Sequence, residues 1–456
     1  MPEFEPLYSA DEMRAAEAGH DTRELMERAG ALAAEAALQE LREAERWTVV
    51  AGGGANGGDG RIVARHLEAH GKEVRIVDAK AGETDLGEPD AIVDALFGTG
   101  FSGEPRSDAA ALIERINASP ARVFAIDVPS GVDASTGEIP GVAVAADATV
   151  TFHGRKVGVV VAPGRFNAGR LRVADIGLDP GVTRHRLVLP ELLRSVPRRG
   201  ARDNKYTAGH VLVVGGSPGM SGAPSLTAAA AMRADAGYVT VAARESVLPI
   251  LEERLVEAVK KPLPEELGDK AVEVVLELSA KASAVALGPG LGRDDGARIL
   301  VRRLLTELEL PIVVDADALY ELEPADWPGP RVLTPHEGEL GRLLGRNDIS
   351  AHRLASVQEA AERFRCVVVL KGADTLVAAP GKGVLVAGSG LPSLATAGTG
   401  DVLTGIVGAF LAKGMEPQRA AAAAAAAQQR AAVEAPERSG LVASDLIDAL
   451  PRALDR

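Results

Sequence analysis

The sequence predicts an α/β protein of two domains, each built on a largely parallel sheet. The chain has 456 residues, more than one ordinary hydrophobic core accommodates. Short apolar segments alternate with helical segments in both halves, and several are apolar throughout, as in strands covered on both faces. A Pro- and Arg-rich stretch before residue 200 interrupts this alternation. We therefore expect domains over residues 1–200 and 201–456.

Composition narrows the classes of function. The net charge is −14 and no basic block occurs, which argues against nucleic acid and anionic membranes as partners. No apolar run is long enough to span a bilayer, and the first residues do not resemble a signal peptide. The single cysteine, Cys366, excludes an internal disulfide, fits a reducing compartment, and is expected to be a buried strand thiol. These features predict a cytoplasmic protein.

The first half predicts helices and then alternating strands. Ser9 and Glu12 have the spacing of a capping box, and the residues that follow favour a helix up to about residue 46. Strands are expected at residues 48–51, 74–77, 91–93, 123–126 and 148–152.

A glycine-rich segment follows the first of these strands. Its spacing matches the dinucleotide-binding fingerprint at Gly52, Gly54 and Gly57. Asp78 lies at about the distance where the fingerprint has an acidic residue. Because Gly58, Asp59 and Gly60 come next, we expect the helix to start later than in the fingerprint. The longer loop would then carry Asn56 and Asp59 into a crevice.

Two more strand ends in this half are polar, at residues 94–104 and 127–133. Ligands in open parallel sheets bind beyond the carboxyl ends of strands, so these loops should converge. They offer oxygen ligands at Asn56, Asp94 and Ser130, a glycine loop for a phosphate, and the Asp127 carboxylate. Each Asp or Ser could instead simply cap its loop. Three such loops at successive strand ends favour a binding site.

The second half repeats the alternation. Strands are expected at residues 211–214, 239–242, 284–287, 312–314, 332–334 and 367–370, and helices at 223–236 and 401–412. The alanine run at 420–427 predicts a packed helix. Polar or glycine-rich loops follow several strands, with Gly290, Asp315, Asp317, His336 and Lys371 as the notable residues.

The segment from Gly398 to Asp401 is a glycine turn that leads into an apolar helix. Free N–H groups and the positive end of the helix dipole would point at one spot, which suits a phosphate or an oxyanion. Asp401, in the first turn, could accept a proton there. It could equally be an N-cap, because Asp is a preferred capping residue.

The first-half motifs resemble the epimerase domain of the NAD(P)H-hydrate repair enzymes. They are Asn-Gly-Gly-Asp-Gly, Asp-Ala-Leu-Phe-Gly-Thr-Gly and Asp-Val-Pro-Ser-Gly-Val, supported by Thr-Phe-His-Gly-Arg-Lys from Thr151. The resemblance covers about residues 9–180. It implies a Rossmann-like domain that interconverts the R and S forms of hydrated NADH or NADPH.

The same resemblance implies site residues. The substrate would be held by Ala55, Asn56, Gly57, Gly58, Asp59, Gly98, Thr99, Gly100, Phe101, Ser102, Gly103 and Glu104. Asp127 would contact the substrate and handle protons. A potassium ion would be bound by Asn56, Asp94 and Ser130. Ala55 stands where the family usually has a second asparagine, which bears on the rate of epimerisation.

The second-half motifs resemble the ribokinase-like ADP/ATP-dependent NAD(P)H-hydrate dehydratases. Gly-Pro-Gly-Leu-Gly, Thr-Pro-His-Glu-Gly-Glu, Leu-Lys-Gly-Ala and Ala-Gly-Thr-Gly-Asp-Val-Leu-Thr-Gly occur in family order over residues 204–452. The resemblance implies that the hydrated dinucleotide contacts Ala223, Gly290, His336 and Asp401. The adenine nucleotide would contact Lys371, Gly372, Ala373, Asp374, Thr375 and Gly400.

Two functions remain open at this point. In the first, Asp401 is the base that activates the hydroxyl of the hydrate for phosphorylation by ADP, with Mg2+ screening the phosphate charge. Phosphate then leaves and NAD(P)H is restored. In the second, the chain is a kinase for a small molecule such as a vitamin precursor, with a nucleotide-binding first domain that does not catalyse. Family likeness also implies a homo-oligomer.

Overall fold

The computed structural model of the protein describes residues 2–436 and 439–455. Contacts between residues divide it into two compact units. The first comprises Pro6–Arg186 with Ser350–Leu354, and the second comprises Leu187–Ile349, the chain from Ala355 onwards and the first few residues. Both units are α/β with largely parallel sheets, which confirms the predicted fold class. The placement of the domain boundary at residue 200 stays a prediction.

The first unit is built on a six-stranded sheet in the order β3-β2-β4-β5-β6-β7. All neighbouring strands pair in parallel. The strands are β2 (Arg46–Ala51), β3 (Glu73–Asp78), β4 (Ala91–Ala95), β5 (Arg122–Ile126), β6 (Ala148–Phe152) and β7 (Arg170–Ala174). The helices are α1 (Ala10–Glu17), α2 (Thr22–Glu40), α3 (Ala55–Ala69) and α4 (Ser107–Ala118). The predicted strands and the Ser9 capping box are confirmed, whereas the polar strand β7 was not predicted.

Apolar side chains cover this sheet on both faces. Val49 of β2 packs in the cluster that includes α2 and α3. Its neighbour Val50 faces the opposite cluster, which includes Leu112 and Ile116 of α4. Adjacent residues of one strand are therefore both buried, which explains why the strand is apolar throughout.

The expectation of a late helix after the glycine-rich segment was wrong. Helix α3 begins at Ala55, immediately after Gly54. A Cβ atom on Gly57 would lie 1.9 Å from the Gly52 carbonyl oxygen, and one on Gly60 would lie 2.5 Å from Cβ of Ala95. The glycines thus let the first turns of α3 approach β2 and β4, rather than extending a loop.

The second unit contains most of an eleven-stranded sheet in the order β1-β8-β17-β16-β15-β14-β13-β12-β9-β10-β11. The remaining strands are β1 (Phe4–Leu7), β8 (His185–Val188), β9 (His210–Val214), β10 (Tyr238–Arg244), β11 (Val259–Leu263), β12 (Ala284–Leu287), β13 (Ile312–Val314), β14 (Arg331–Leu333), β15 (Val367–Leu370), β16 (Asp374–Ala378) and β17 (Leu385–Ser389). Pairing is parallel from β11 to β15, and β16 is antiparallel to both of its neighbours. All six predicted strands are present, and β1, β8, β11, β16 and β17 were not predicted.

The helices of the second unit are α5 (Gly222–Arg233), α6 (Leu248–Arg254), α7 (Asp269–Ser279), α8 (Asp295–Glu307), α9 (Glu337–Leu344), α10 (Arg353–Phe364), α11 (Thr399–Ala412), α12 (Pro417–Glu434) and α13 (Ala443–Leu454). Nearly all of α11 is buried, and a Cβ on Gly405 would lie 2.2 Å from the Thr227 carbonyl oxygen of α5. The alanine run forms the buried face of α12, as predicted. None of the helices in the described residues is both long and apolar enough to cross a membrane.

Candidate functional site

A cavity of about 600 Å³ opens at the carboxyl ends of the first unit's strands. Of the predicted substrate residues, those that line it are Ala55, Asn56, Asp59, Gly98, Thr99, Gly100, Phe101, Ser102 and Asp127. Gly57, Gly58, Gly103 and Glu104 do not line it. The structure therefore brings the three predicted loops to one cavity. Their contact with substrate stays a prediction.

Asp127 is the most constrained acidic residue of this cavity. It directly follows β5, and its backbone is in the left-handed region with φ 67°. One carboxylate oxygen lies 2.6 Å from the ammonium of Lys156, which is buried. The other accepts hydrogen bonds from the backbone N–H of Thr99, at 3.0 Å, and from its hydroxyl. Burial raises the pKa of Asp127, but Lys156 and Thr99 lower this pKa by more, so the carboxylate is ionised.

Asp59 lies in a contrasting environment in the same cavity. Its Oδ1 is buried and has no hydrogen-bond partner among the described residues. Burial, with the negative charges of Asp127 and Glu17, raises the pKa of Asp59 to about 8. Asp127 is thus a carboxylate at neutral pH, whereas Asp59 in the same cavity is a carboxylic acid.

The three residues predicted to bind potassium lie together beside the cavity. Ser130 donates from its hydroxyl to Asp94 at 2.6 Å, and its backbone N–H donates to the other carboxylate oxygen at 2.8 Å. The amide of Asn56 donates to the carbonyl of Phe97 at 2.7 Å. Asp94 is fully buried, it has no cationic side chain paired with it in the described part of the chain, and burial raises its pKa to about 6. An uncompensated buried carboxylate surrounded by oxygens suits a monovalent cation.

In the second unit, Asp401 is not the N-cap of α11, which excludes one of its two predicted roles. The N-cap of α11 is Gly398, with φ 89°, and no side chain caps the helix. Asp401 is the third residue of the helix, and its half-buried carboxylate receives no hydrogen bond from the described residues. Burial first, and then the negative charge of Asp315, raise the pKa of Asp401 to about 7. A carboxyl group with this pKa beside free helix N–H groups can accept a proton near neutral pH.

Asp315 holds together the residues around Asp401. It is buried at the end of β13, and one of its oxygens accepts hydrogen bonds from the Lys371 ammonium and the Thr334 hydroxyl, both at 2.8 Å. Its other oxygen accepts from the Thr404 hydroxyl of α11, also at 2.8 Å. Burial lowers the pKa of Lys371, but Asp315, Glu339 and Asp401 together raise it by more, so the ammonium is charged. A Cβ on Gly400 would lie 3.2 Å from this ammonium, which places a fixed cation beside the start of α11.

The remaining predicted substrate residues of this unit are Gly290, which follows β12, His336, which follows β14, and Ala223, in the first turn of α5. Gly290 has φ 63°, and a Cβ there would lie 2.5 Å from the Met220 carbonyl oxygen and 3.4 Å from Cβ of Ala223, so Gly290 and Ala223 are adjacent. His336 forms a capping box with Glu339: its Nδ1 accepts from the backbone N–H of Glu339 at 3.4 Å, and the Glu339 carboxylate accepts from the backbone N–H of His336 at 2.9 Å. With Nδ1 as the acceptor, Nε2 carries a hydrogen; it lies 3.6 Å from the Glu339 carboxylate, on a side chain that is 57% exposed.

The predicted nucleotide residues surround the turn between β15 and β16. Lys371 directly follows β15. Its backbone N–H donates a hydrogen bond to the Pro335 carbonyl, just before α9, at 3.0 Å. Gly372 and Ala373 form the turn, and Asp374 and Thr375 begin β16. The ammonium of Lys371 links this turn to Gly400. Their contact with nucleotide stays a prediction.

Sequence reasoning missed several residues at these sites. Lys156 was noted only as part of a motif, yet it forms the ion pair with Asp127. Asp315 was noted as an acidic residue at a strand end, without its bonds to Lys371 and α11. The available signal for Lys156 was the apolar sequence that follows it, because a buried ammonium needs a partner.

Comparisons with known proteins agree with both halves. Residues 211–452 match the family model described as NAD(P)H-hydrate dehydratase, and residues 22–86 and 77–158 match that of the YjeF-related protein N-terminus. The bifunctional NAD(P)H-hydrate repair enzyme Nnr of Moorella thermoacetica is 39% identical, over 90% of this chain and 87% of the relative. The enzyme of the same name from Escherichia coli is 33% identical, over 95% of this chain and 89% of the relative.

A solved structure resembles the second unit. The ADP/ATP-dependent NAD(P)H-hydrate dehydratase from Bacillus subtilis, co-crystallised with ATP and Mg2+, superposes with a TM-score of 0.52 at 29% identity. The match covers 58% of this chain and 96% of that one. These similarities do not favour the alternative of a small-molecule kinase. The chain belongs to the family of bifunctional NAD(P)H-hydrate repair enzymes.

Proposed function

We propose that the chain repairs hydrated NADH and NADPH in two steps. The first unit interconverts the R and S hydrates, and the second dehydrates the S form with consumption of ADP, yielding AMP and phosphate. One observation carries the second step: the Asp401 carboxyl group, in the first turn of α11, has no hydrogen-bond partner among the residues that the structure describes. The Lys371 ammonium is close to Gly400 in the same turn.

Dehydration needs a better leaving group than hydroxide. Asp401 takes the proton of the C6 hydroxyl while the hydroxyl oxygen attacks the β-phosphorus of ADP and AMP departs. The N–H groups at the start of α11 and the Lys371 ammonium stabilise the charge on the transferred group. The lone pair of the ring nitrogen then expels phosphate, and loss of the C5 proton restores the dihydronicotinamide.

Magnesium fits this site as a companion of the nucleotide. Among the described residues, no group of three or more His, Cys, Asp or Glu side chains could hold a metal ion by itself. Mg2+ is commonly bound through one or two carboxylates and the phosphates of the substrate. Bound in this way, the ion would neutralise the charge of the nucleotide's phosphates beside Asp401.

Potassium fits the first unit. Asn56, Asp94 and Ser130, with the Phe97 carbonyl, would hold the ion through oxygen atoms, and the buried charge of Asp94 would be compensated. The ion would fix the loop that carries Thr99, whose N–H donates to Asp127. We place substrate in the adjoining cavity, against Asp127.

The proposed substrates form wherever reduced nicotinamide cofactors are present, which supports the cytoplasm as the place of action. Kinship alone supports an oligomer, which the molar mass of the protein in solution tests.

The proposal is tested by mixing chemically hydrated NADH with the protein, ADP and Mg2+. We expect the NADH absorbance to return and AMP and phosphate to form in equal amounts. Pure S hydrate should be consumed without the first unit, whereas the R hydrate should require it. A stable phosphorylated product, or no return of NADH, would contradict the proposal.

A further inference from the structure

The cavity of the first unit contains a second carboxyl group with no structural task. Asp59 lies on α3, one turn after Asn56, and lines the cavity with Asp127 and Lys156. Its Oδ1 is buried and receives no hydrogen bond within the described residues. Buried polar atoms in proteins are nearly always paired, so an unpaired one needs an explanation. An atom of the substrate that hydrogen-bonds to Asp59 would provide it.

The surroundings of Asp59 and Asp127 favour opposite protonation states: Asp59 is protonated and Asp127 is ionised. The Lys156 ammonium, 2.6 Å from Asp127, compensates the negative charge of that carboxylate. No cation is bonded to Asp59 in the described part of the chain, so burial and the charge of Asp127 keep its proton on. Two carboxyl groups in one site with separated pKa values are the arrangement that divides acid and base roles.

Epimerisation at C6 requires both roles. C6 bears a hydroxyl group and is bonded to the ring nitrogen, so it resembles the anomeric carbon of a sugar. The nitrogen lone pair can expel the hydroxyl group if an acid protonates the departing oxygen. Water must then add to the other face of C6 and lose a proton to a base. Glycoside hydrolases meet the same need with one protonated and one ionised carboxyl group.

We propose that Asp59 is the proton donor and Asp127 the proton acceptor of the epimerase, an inference that rests on the proposed function. Asp59 gives its proton to the C6 hydroxyl, the C6–O bond breaks with its electron pair going to oxygen, and water leaves. A second water adds to the opposite face of C6, and its proton passes to Asp127. A final proton transfer from Asp127 to Asp59 restores the starting state, so no proton is gained or lost.

Glu17 is the other acidic side chain of this cavity. It lies at the end of α1 and is exposed to solvent, unlike Oδ1 of Asp59. Partial burial and the negative charge of Asp127 raise the pKa of Glu17 as well. Its side chain is nevertheless open to solvent, which makes it a weaker candidate for the donor than Asp59. The charged residues that line the cavity together with Asp59 are Arg14, Glu17, Asp127 and Lys156.

The test compares Asp59→Asn with Asp108→Asn in the full chain. Asp108 is an exposed residue in the first turn of α4, outside the cavity. Conversion of pure R hydrate is followed by chromatography without ADP, so that the second unit is idle. We expect Asp59→Asn to lower the rate by about 10²- to 10⁴-fold, while affinity for the hydrate and ADP-dependent repair of the S form are retained. Asp108→Asn should behave as wild type.

Two further readouts separate a proton donor from a structural residue. The wild-type rate should fall above a pH of about 8, where Asp59 loses its proton, and the residual rate of Asp59→Asn should lack this decline. Epimerisation in water labelled with heavy oxygen should place solvent oxygen on C6. If wild type epimerises the hydrate and Asp59→Asn does so equally fast, or if the product keeps its original oxygen, the assignment of Asp59 is wrong while the proposed function stands. Absence of epimerisation by wild type would overturn the proposed function itself.

Discussion

The pH dependence of dehydration is the most direct consequence of the Asp401 environment. Burial and the charge of Asp315 raise the pKa of Asp401 to about 7. A general base acts only in its ionised form, so kcat/KM for the S hydrate should rise with pH through this value. The perturbation is therefore twofold: the pH is varied from 6 to 8, and Asp401 is replaced by Asn.

The expected magnitude follows from the fraction of Asp401 that is ionised. With a pKa of about 7, roughly a tenth of the carboxyl groups are ionised at about pH 6 and roughly nine-tenths at about pH 8, which gives an increase of about tenfold. Asp401→Asn removes the base and should lower the rate by about 10²- to 10⁴-fold at every pH. Because the described residues donate no hydrogen bond to this carboxylate, the amide breaks no protein contact and the Tm should not fall.

The assay is the return of NADH absorbance from pure S hydrate with ADP and Mg2+. Asp295→Asn is the matched control, because Asp295 is also in the first turn of a helix but its side chain is 87% exposed. Epimerisation of the R hydrate by the Asp401 variant, measured by chromatography, should equal that of wild type and shows that the chain is folded.

Two results would refute the reasoning. A flat profile between pH 6 and 8 would mean that no group with the pKa of Asp401 controls the reaction. Near-normal dehydration by Asp401→Asn would mean that another group removes the proton.

Three other predictions concern the first unit. Lys156→Met removes the cation bonded to Asp127, so burial should raise the pKa of Asp127. Epimerisation at neutral pH should then fall at least about tenfold and partly recover as the pH is raised. A pH profile identical to that of wild type would disprove this role of Lys156. Asp94→Asn should raise the potassium concentration needed for epimerisation at least about tenfold. This is measured by titration with potassium chloride at constant ionic strength. An unchanged titration would exclude Asp94 as a ligand. Gly57→Ala places a Cβ 1.9 Å from the Gly52 carbonyl oxygen and should destabilise the first unit by about 1–3 kcal/mol, seen as a lower Tm for that unit; an unchanged Tm would show that α3 adapts freely.

The sequence predicted the fold well where one physical signal dominates. Strands buried on both faces, such as β6 and β12, are apolar throughout and were placed at the observed residues. Strands β7, β11 and β16 were missed because they contain charged or exposed positions, such as Arg170 and Arg172 in β7. Only the tertiary structure supplies the neighbouring strands that make such segments extended.

The glycine-rich segment shows the opposite kind of error. The run of glycines before and after Asp59 was interpreted as a loop, because glycine is a poor helix former. In the structure, close approach of α3 to β2 and β4 outweighs that propensity, since Gly57 and Gly60 have no room for a side chain. Asn56 and Asp59 nevertheless line the cavity, although the long loop that was expected to carry them there does not exist.

The two units use the same electrostatic arrangement, and this arrangement could not be predicted from local sequence. In each, a lysine is bonded to a buried aspartate, Lys156 to Asp127 and Lys371 to Asp315. In each, a further aspartate without a cation of its own lies near that pair and has its pKa raised, as Asp59 and Asp401 do.

The ion pair and the raised pKa depend on one another. A buried carboxylate is stable only beside a cation, and once ionised it disfavours a second negative charge nearby. The second carboxyl group is therefore tuned by a lysine to which it is not bonded, from a distant part of the chain. Replacing either lysine should consequently change the pH profile of its own unit's reaction and leave the other profile unaltered. This selectivity distinguishes local tuning from a general loss of stability.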